Sequence, residues 1–437
     1  MKKPVVVRAI WSIGLTLGLA LALAATVHAA LDWIPAETAN VSRSGEARNV
    51  ALAVGSGGKA AAWWVNVTLG DRRGDLMLAQ HSGSGWVTQT VTTTLEARWP
   101  SIVYSGTTLF LAWFQGQLYT QPATALGGWV WEQEFPGIPQ RVTDTLFYGG
   151  EWFRPRLRVG SDGVSVVFAA ALTSTRAGRG DLYYFHRPPF GPWSSTVVVT
   201  SDQVAAGESG GVFYPDLAFT DGKAHLVWEQ LSQSGSIVTY TVFYISATVG
   251  SGGPLWGTPL ALSPSGENGQ RPAIAADEGG RVHVAWTDYI TDTEQYVRYR
   301  RLDNSGWSSV QTLSGDEPLR VNKIRPTVVW PAVAARGDQV CVAWHGFYPD
   351  ATAEAEEVYL RCSRDGGQTW GTVMNVSRSP DRLSLIPALT IGTDGTVHVL
   401  WEEFQGGNSY FYNYDALYAA GPPEVHAVFL PIVLRNG

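Results

Sequence analysis

The feature that most constrains this chain is a repeat. Six segments superimpose: RWPSIVYSGTTLFLAWFQG, FRPRLRVGSDGVSVVFAAAL, FYPDLAFTDGKAHLVWEQL, QRPAIAADEGGRVHVAWTDY, VWPAVAARGDQVCVAWHGF and LIPALTIGTDGTVHVLWEEF. Their prolines are Pro100, Pro155, Pro215, Pro272, Pro331 and Pro387, spaced by 55, 60, 57, 59 and 56 residues. A seventh copy, ARNVALAVGSGGKAAAWWVN, carries Asn49 in place of the proline. Each copy holds a short apolar run, a glycine turn and a second apolar run that usually ends near a tryptophan. Turns such as Asp162-Gly163, Asp221-Gly222 and Asp394-Gly395 between Val- and Ala-rich runs are hairpin signals. A third run follows, such as DLYYFHR, and a fourth opens at a tryptophan after a glycine turn, as in SGWSSVQTL. Four short strands repeated at this period make the blade of a propeller. The chain is therefore expected to be all-β: a seven-bladed β-propeller of four-stranded antiparallel blades.

The expected fourth-strand tryptophans are Trp86, Trp129, Trp193, Trp256, Trp307 and Trp370, one short of seven. The missing strand is found at the other end of the chain. WIPAETANVSRSG, from Trp33, reads like WGTVMNVSRSPD, from Trp370. The N-terminal strand is thus expected to complete the last blade and close the ring, which removes exposed sheet edges. The third blade is the weakest copy, with Phe168 at or beside the tryptophan position.

Charge excludes one class of partner. The chain has 31 Lys and Arg against 38 Asp and Glu, and no basic stripe, so it does not read as a nucleic-acid binder. At the N-terminus, Lys2, Lys3 and Arg8 flank an apolar run from Ala9 to Val27, and Val27-His28-Ala29 is a small-residue cleavage pattern. Residues 1–29 read as a signal peptide; the alternative is a retained membrane anchor. The reading implies export, to a secreted or cell-surface location, with residues 30–420 as the propeller. Residues 421–437 form a linker, Gly421-Pro422-Pro423, and an apolar tail whose FLPIVL is too short to span a bilayer. The tail is either a sorting or attachment signal or a strand packed on the propeller.

Cys341 and Cys362 flank one hairpin, and a register pairing Trp344 with Tyr359 also pairs the two cysteines, so an exported chain can oxidise them to a disulfide. Two cysteines make no zinc site, and His225, His283 and His398 fall in separate blades, where they read as inter-blade packing. No metal or cofactor is expected.

CSRDGGQTWG, Cys362 to Gly371, contains Ser363-x-Asp365-x-Gly367-x-Thr369-Trp370. This resembles the Asp-box, or bacterial neuraminidase repeat, of secreted sialidase-like propellers. RLDNSGW, Arg301 to Trp307, is a degraded copy. The resemblance implies a structural turn between third and fourth strands. The residue chemistry agrees: a short Asp side chain accepts backbone N–H bonds and fixes a tight turn.

In a propeller, ligands meet the end of the central channel where first strands begin and second strands end. The residues before each proline, or before Asn49, are Arg48, Trp99, Arg154, Tyr214, Arg271, Trp330 and Ile386. Past the second strands come Asn66, Phe114, Gln115, Glu229, Asp288, His345, Glu402 and Glu403, with Arg98 and Arg325 close by. Arg48, Trp99, Arg154, Tyr214, Arg271, Trp330, Glu229, Asp288, His345 and Glu402 are the candidate ligand-binding set. Guanidinium groups grip carboxylate or sulfate, and rings stack on sugar faces. The competing reading is a stapled ring of arginines stacked between aromatics and paired with glutamates. The expected function is a monomeric binding module for a glycan or other anionic surface polymer, with a cell-surface protein as the other partner class. The resemblance adds a second reading, an exo-acting glycoside hydrolase of sialidase type with Glu229, Asp288 or Glu402 as acid or base. Against it, the sialidase Arg-x-Pro pattern is not met by WFRPRL, sialidases have six blades, and none of Tyr348, Tyr410, Tyr412 or Tyr414 matches their nucleophile. A purely structural surface protein is the third reading.

Overall fold

The computed structural model describes residues 31–32, 35, 37–42, 47–65, 74–92, 97–117, 126–149, 154–172, 180–200, 209–220, 222–249, 254–291, 294–316, 318–320, 328–346, 356–406 and 413–422. They form seven antiparallel blades and, among the described residues, no helix. The first strands of the blades are Ala47–Gly55, Ala97–Ser105, Arg156–Gly160, Ser209–Thr220, Gly269–Ala276, Ala332–Arg336 and Ser384–Ile391. They line a central channel. The second strands are Gly58–Val65, Thr108–Gln117, Gly163–Ala170, Lys223–Ser234, Val282–Thr291, Gln339–Gly346 and Val397–Gly406. Each pairs with the first strand of its own blade through a tight hairpin.

Second strands have neighbouring blades on both faces, so they read as continuous apolar runs and not as alternating ones. Every residue of Gly163–Ala170 is buried. The core is seven wedges, one per blade interface, and each holds a ring from the equivalent second-strand position: Trp63, Trp113, Phe168, Trp228, Trp286, Trp344 or Trp401. Phe168 stands at the tryptophan position itself.

The ring closes as the sequence implies. Glu37–Asn40 pairs antiparallel with Leu417–Ala420 as the outer strand of blade 7. Asn40 Nδ2 and Ser42 Oγ both donate to Asp415, at 2.7 and 3.2 Å, fixing the register. One contact was not foreseen: Leu31–Asp32 runs parallel to Met374–Asn375, so the same segment also ties blade 6. Trp33 and residues 1–30 lie outside the described residues, as do 423–437. Among the described residues no helix is long and apolar enough to cross a membrane.

Two sequence assignments shift. Trp129 belongs to the third strand of blade 2, Leu126–Phe135, where it pairs with Gln115. The Gly127-Gly128 pair ahead of it resembles the turn that opens a fourth strand elsewhere. In blade 1 the repeat is offset by one residue, because Asn49 matches the pre-proline residues and Val50 the proline. The reason is a shared backbone kink. Asn49, Trp99, Tyr214, Arg271 and Ile386 all have φ between 48° and 54°, and at each the strand register slips.

Candidate functional site

The kink sets the geometry of the channel mouth. A left-handed residue before proline is doubly disfavoured, since proline pushes its predecessor toward extended conformations. Its effect is to turn one backbone N–H toward the previous blade. Asn49 N–H donates to Glu402 Oε1 at 2.6 Å, Arg271 N–H to Glu229 Oε2 at 2.9 Å, and Ile386 N–H to His345 Nδ1 at 3.4 Å. Glu229, His345 and Glu402 occupy the same position, one residue past the second-strand tryptophan, and all three are buried.

Burial pushes the Glu229 and Glu402 carboxyls upward, against the pull of Arg271 and Arg48 respectively. Arg48 Nε lies 2.8 Å from Glu402 Oε2, and Arg271 Nη1 lies 3.2 Å from Glu229 Oε2. Burial holds His345 down to about 3, so it is neutral. Its Nδ1 accepts from Trp330 N–H and Ile386 N–H, which puts its proton on Nε2, 3.6 Å from Glu356.

Between these acceptors lies a stack of cations and rings. The Arg271 guanidinium sits 3.5 Å over the Tyr214 ring, and Arg154 sits 4.0 Å over Trp330. Tyr214 and Trp330 meet edge to face at 5.1 Å. Arg154 also acts on Glu402 electrostatically, and Arg48 stacks 4.5 Å over Tyr414. One belt therefore crosses the mouth, running Arg48, Glu402, Arg154, Trp330, Tyr214, Arg271, Glu229. It draws on six blades and carries three guanidinium groups against two carboxyls.

The structure thus brings seven of the ten candidate residues into this belt. The other three lie apart. Trp99 is buried against Phe114, His345 is sealed between blades 6 and 7, and Asp288 points to the other face of its strand, 2.8 Å from Arg298. Parity explains Asp288: it is two residues past Trp286, whereas Glu229 is one past Trp228. Arg98 stacks over Trp64. Asn66, Arg325, Tyr348, Tyr410 and Tyr412 lie outside the described residues.

Sequence reasoning missed Tyr414 as a stacking partner, and Tyr240, whose hydroxyl is pushed up by burial and by Glu229. Both sit on third strands, where the repeat has no proline or glycine marker to align on. It also missed Arg156, Arg158 and Asp216, which line the channel below the mouth.

The other expected sites take simple forms. Asp365 accepts from Gln368 N–H, Thr369 N–H and Thr369 Oγ1 at 2.9, 2.9 and 2.5 Å, and from Ser363 Oγ at 2.7 Å. These bonds hold its carboxyl far below the usual range. Gly367 has φ +81°, and a Cβ there would meet the Tyr299 hydroxyl of blade 5 at 1.9 Å. Cys341 and Cys362 face each other in register and are bonded. The three histidines donate to or accept from tyrosines: His225 Nδ1 to Tyr244, His283 Nδ1 to Tyr299 and His398 Nδ1 to Tyr418, each at 2.7 Å.

No protein-family model matches the chain, and neither does any curated protein. Among solved structures it is similar to an ulvan lyase, a polysaccharide lyase bound to -[GlcA(1-4)Rha3S]-. That likeness has a TM-score of 0.54 at 10% identity, covering 90% of this chain and 96% of the lyase. An α-L-arabinofuranosidase of Fusarium graminearum gives a TM-score of 0.43 at 13% identity, over 77% and 96% of the two chains. The leech intramolecular trans-sialidase gives 0.44 at 11% identity, over 93% and 72%. The lyase shares the fold of this seven-bladed propeller.

Proposed function

We propose that this protein is an exported binding module that holds a glycan, or another anionic surface polymer, across the channel mouth. The observation that carries the reading is the Arg154–Trp330–Tyr214–Arg271 stack. Aromatic faces and guanidinium forks are the groups that take sugar rings and their carboxylate or sulfate substituents. They are gathered here at the open end of the channel, with cations in excess of carboxylates. The fold shared with a polysaccharide lyase is consistent with a polysaccharide partner.

Catalysis by the mouth carboxylates fits less well. Glu229 and Glu402 each take a backbone N–H and a guanidinium, so each is committed as an acceptor before any substrate arrives. The same ion pairs favour a second reading, that the belt is a staple between blades.

The test is a polysaccharide-binding screen, with acidic and neutral chains immobilised, run on the wild type and on Trp330→Ala. Reducing-end release and unsaturated-uronate absorbance are read on the same samples. The expected outcome is binding to acidic chains that weakens about tenfold or more in the variant, the usual effect of losing an aromatic anchor. Turnover would make the protein an enzyme. A variant that binds as the wild type does, or a wild type that binds nothing, would leave the belt as a staple.

A further inference from the structure

The three most exposed large apolar side chains among the described residues are Phe190, Ile138 and Leu255, at 107%, 87% and 80%. They fall on consecutive blades, 3, 2 and 4, and each belongs to the turn that leads from the third strand into the fourth. Phe135 pairs with Leu109, Arg187 with Val164, and Thr248 with both Leu255 and Lys223. All three turns therefore stand where second strands begin, at the end of the propeller opposite the mouth. Two contacts hold them side by side: Arg187 Nη2 lies 3.0 Å from Glu132 Oε1, and Tyr184 meets Trp256 at 5.3 Å. In blades 1, 5 and 6 the same turn is polar, with Ser84, Asn304-Ser305 and Arg364-Asp365.

Each tip is stiffened by proline, in Pro136-Gly137-Ile138-Pro139, Pro188-Pro189-Phe190-Gly191-Pro192 and Pro254-Leu255. Proline fixes φ, so a contact made here orders little new backbone. Phe190 has φ +60°, a costly conformation for a bulky residue. Its ring lies fully in water and returns nothing to the fold. Apolar groups held out in this way mark an interaction surface.

The ends of the described chain point to what meets that surface. Glu37 pairs with Ala420, and Gly421 with Val397, at this same end of blade 7. Leu31–Asp32 runs parallel to the fourth strand of blade 6 and so comes up from this end. Residues 1–30 and 423–437, which carry the apolar run from Ala9 to Val27 and FLPIVL, thus join the propeller opposite the mouth, across the ring from the three tips. The tips are separate points, with Glu134, Asp162 and Arg187 between them. A specific protein interface needs a closely fitted patch of about 800 Å² on each partner, whereas a fluid bilayer closes around separate points. These charges have both signs, so no basic cluster here selects anionic headgroups.

We propose that the face opposite the mouth rests on a lipid bilayer, with Ile138, Phe190 and Leu255 inserted at the boundary of headgroups and acyl chains and the mouth turned away from the membrane. This is the opposite face from the polymer belt, and it neither needs nor predicts ligand binding there.

The experiment uses the full chain with one new thiol, Phe190→Cys, labelled with a polarity-sensitive dye; Cys341 and Cys362 are bonded to each other and do not react. The control is Thr239→Cys, on the exposed blade 4 hairpin at the mouth, beside Ile237 and Val238. Phosphatidylcholine vesicles are expected to shift the dye to the blue at position 190 and not at 239, equally in low and high salt. Ile138→Ser with Leu255→Ser in the labelled chain should raise the lipid needed for half the shift by about tenfold or more, since those side chains no longer gain by leaving water. The substituted side chains are exposed, so the wild-type Tm should be kept. No shift at 190, a shift as large at 239, a shift abolished by salt, or a double variant that responds as its parent does would each overturn the proposal. A shift that grows with protein concentration in the absence of lipid would give the tips to a second copy of this chain, and would overturn it too.

Discussion

The two ends of the second strands follow opposite rules. Away from the mouth, four of the seven blades repeat one contact, while blades 1 and 2 hold Ala60 and Phe110 at that position. A second-strand side chain meets a third-strand tyrosine, and that ring meets edge-on the fourth-strand tryptophan of the next blade. The sets are Ser165–Tyr184–Trp256, His225–Tyr244–Trp307, His283–Tyr299–Trp370 and His398–Tyr418–Trp86. The last of these joins blade 7 to blade 1. Blade 6 has Cys341 at the histidine position and substitutes a disulfide. At the mouth, equivalent positions hold Trp64, Phe114, Ala169, Glu229, Thr287, His345 and Glu402, and no two adjacent blades agree. Repetition is what packing needs, since each blade meets the same neighbour surface. Departure from repetition concentrates charge and rings at one rim, on a backbone kink that five blades share.

If that contrast is right, the repeated end should govern stability. The largest effect is expected from Trp286→Ala, which empties one wedge of the core and should cost about 3–5 kcal/mol in urea unfolding. A loss under about 1 kcal/mol would mean that blades are held mainly elsewhere. Opening the 21-residue loop closed by Cys341 and Cys362, by reduction or by Cys341→Ala with Cys362→Ala, should cost about 3 kcal/mol. Gly367→Ala forces a side chain into the Tyr299 hydroxyl at a left-handed position, and should cost about 1–3 kcal/mol.

The histidine latches add a pH dependence. Burial lowers His225 and His398 to about 4, below the ordinary value near 6.5. The folded state therefore binds fewer protons than the unfolded one between these values. Stability is complete above pH about 6.5 and falls as pH drops toward 4, by about 1.4 kcal/mol per unit for each histidine. Melting curves from pH 7.5 to 4.5 should show this slope, and His398→Gln should reduce it by one proton. A slope unchanged in that variant would remove His398 from the set.

This contrast also explains what was legible in the sequence. The blade count, the strand order and the N-terminal closure rest on prolines, glycine turns and tryptophans, whose spacing records the packing period directly. The Cys341–Cys362 register could be read because a hairpin has one period. The mouth was only half legible. Arg154, Tyr214, Arg271, Trp330 and Glu229 were found by position. The Asn49 offset was not, because the kink belongs to the backbone, and proline follows it in four blades but not in the first. Asp288 was misplaced by one step of strand parity, which turns a side chain to the other face. Arg156 and Arg158 were in view within WFRPRLRVG, but their place beside Asp216 on the channel wall shows only when the seven first strands are set around one channel.

The smallest effect sharpens the comparison most. Ile386 is a β-branched residue held at φ +49° before a proline, a conformation that costs about 1–3 kcal/mol. Its side chain is only partly buried, and its useful atom, the N–H on His345 Nδ1, belongs to the backbone. Ile386→Gly keeps that bond, relieves the strain and gives up modest apolar contact. At the latch end a deletion of this size would be destabilising. At the mouth it is expected to leave the Tm within about 2 °C of the wild type, or to raise it, since less than about 1 kcal/mol should separate the opposing terms. A large drop in Tm would mean that the kinked residues are packing elements like the latches, and that the two ends of the propeller obey one rule. An unchanged or higher Tm would mean that the kink is kept at a cost to stability, and the belt it positions becomes the place to look for what the strain is for.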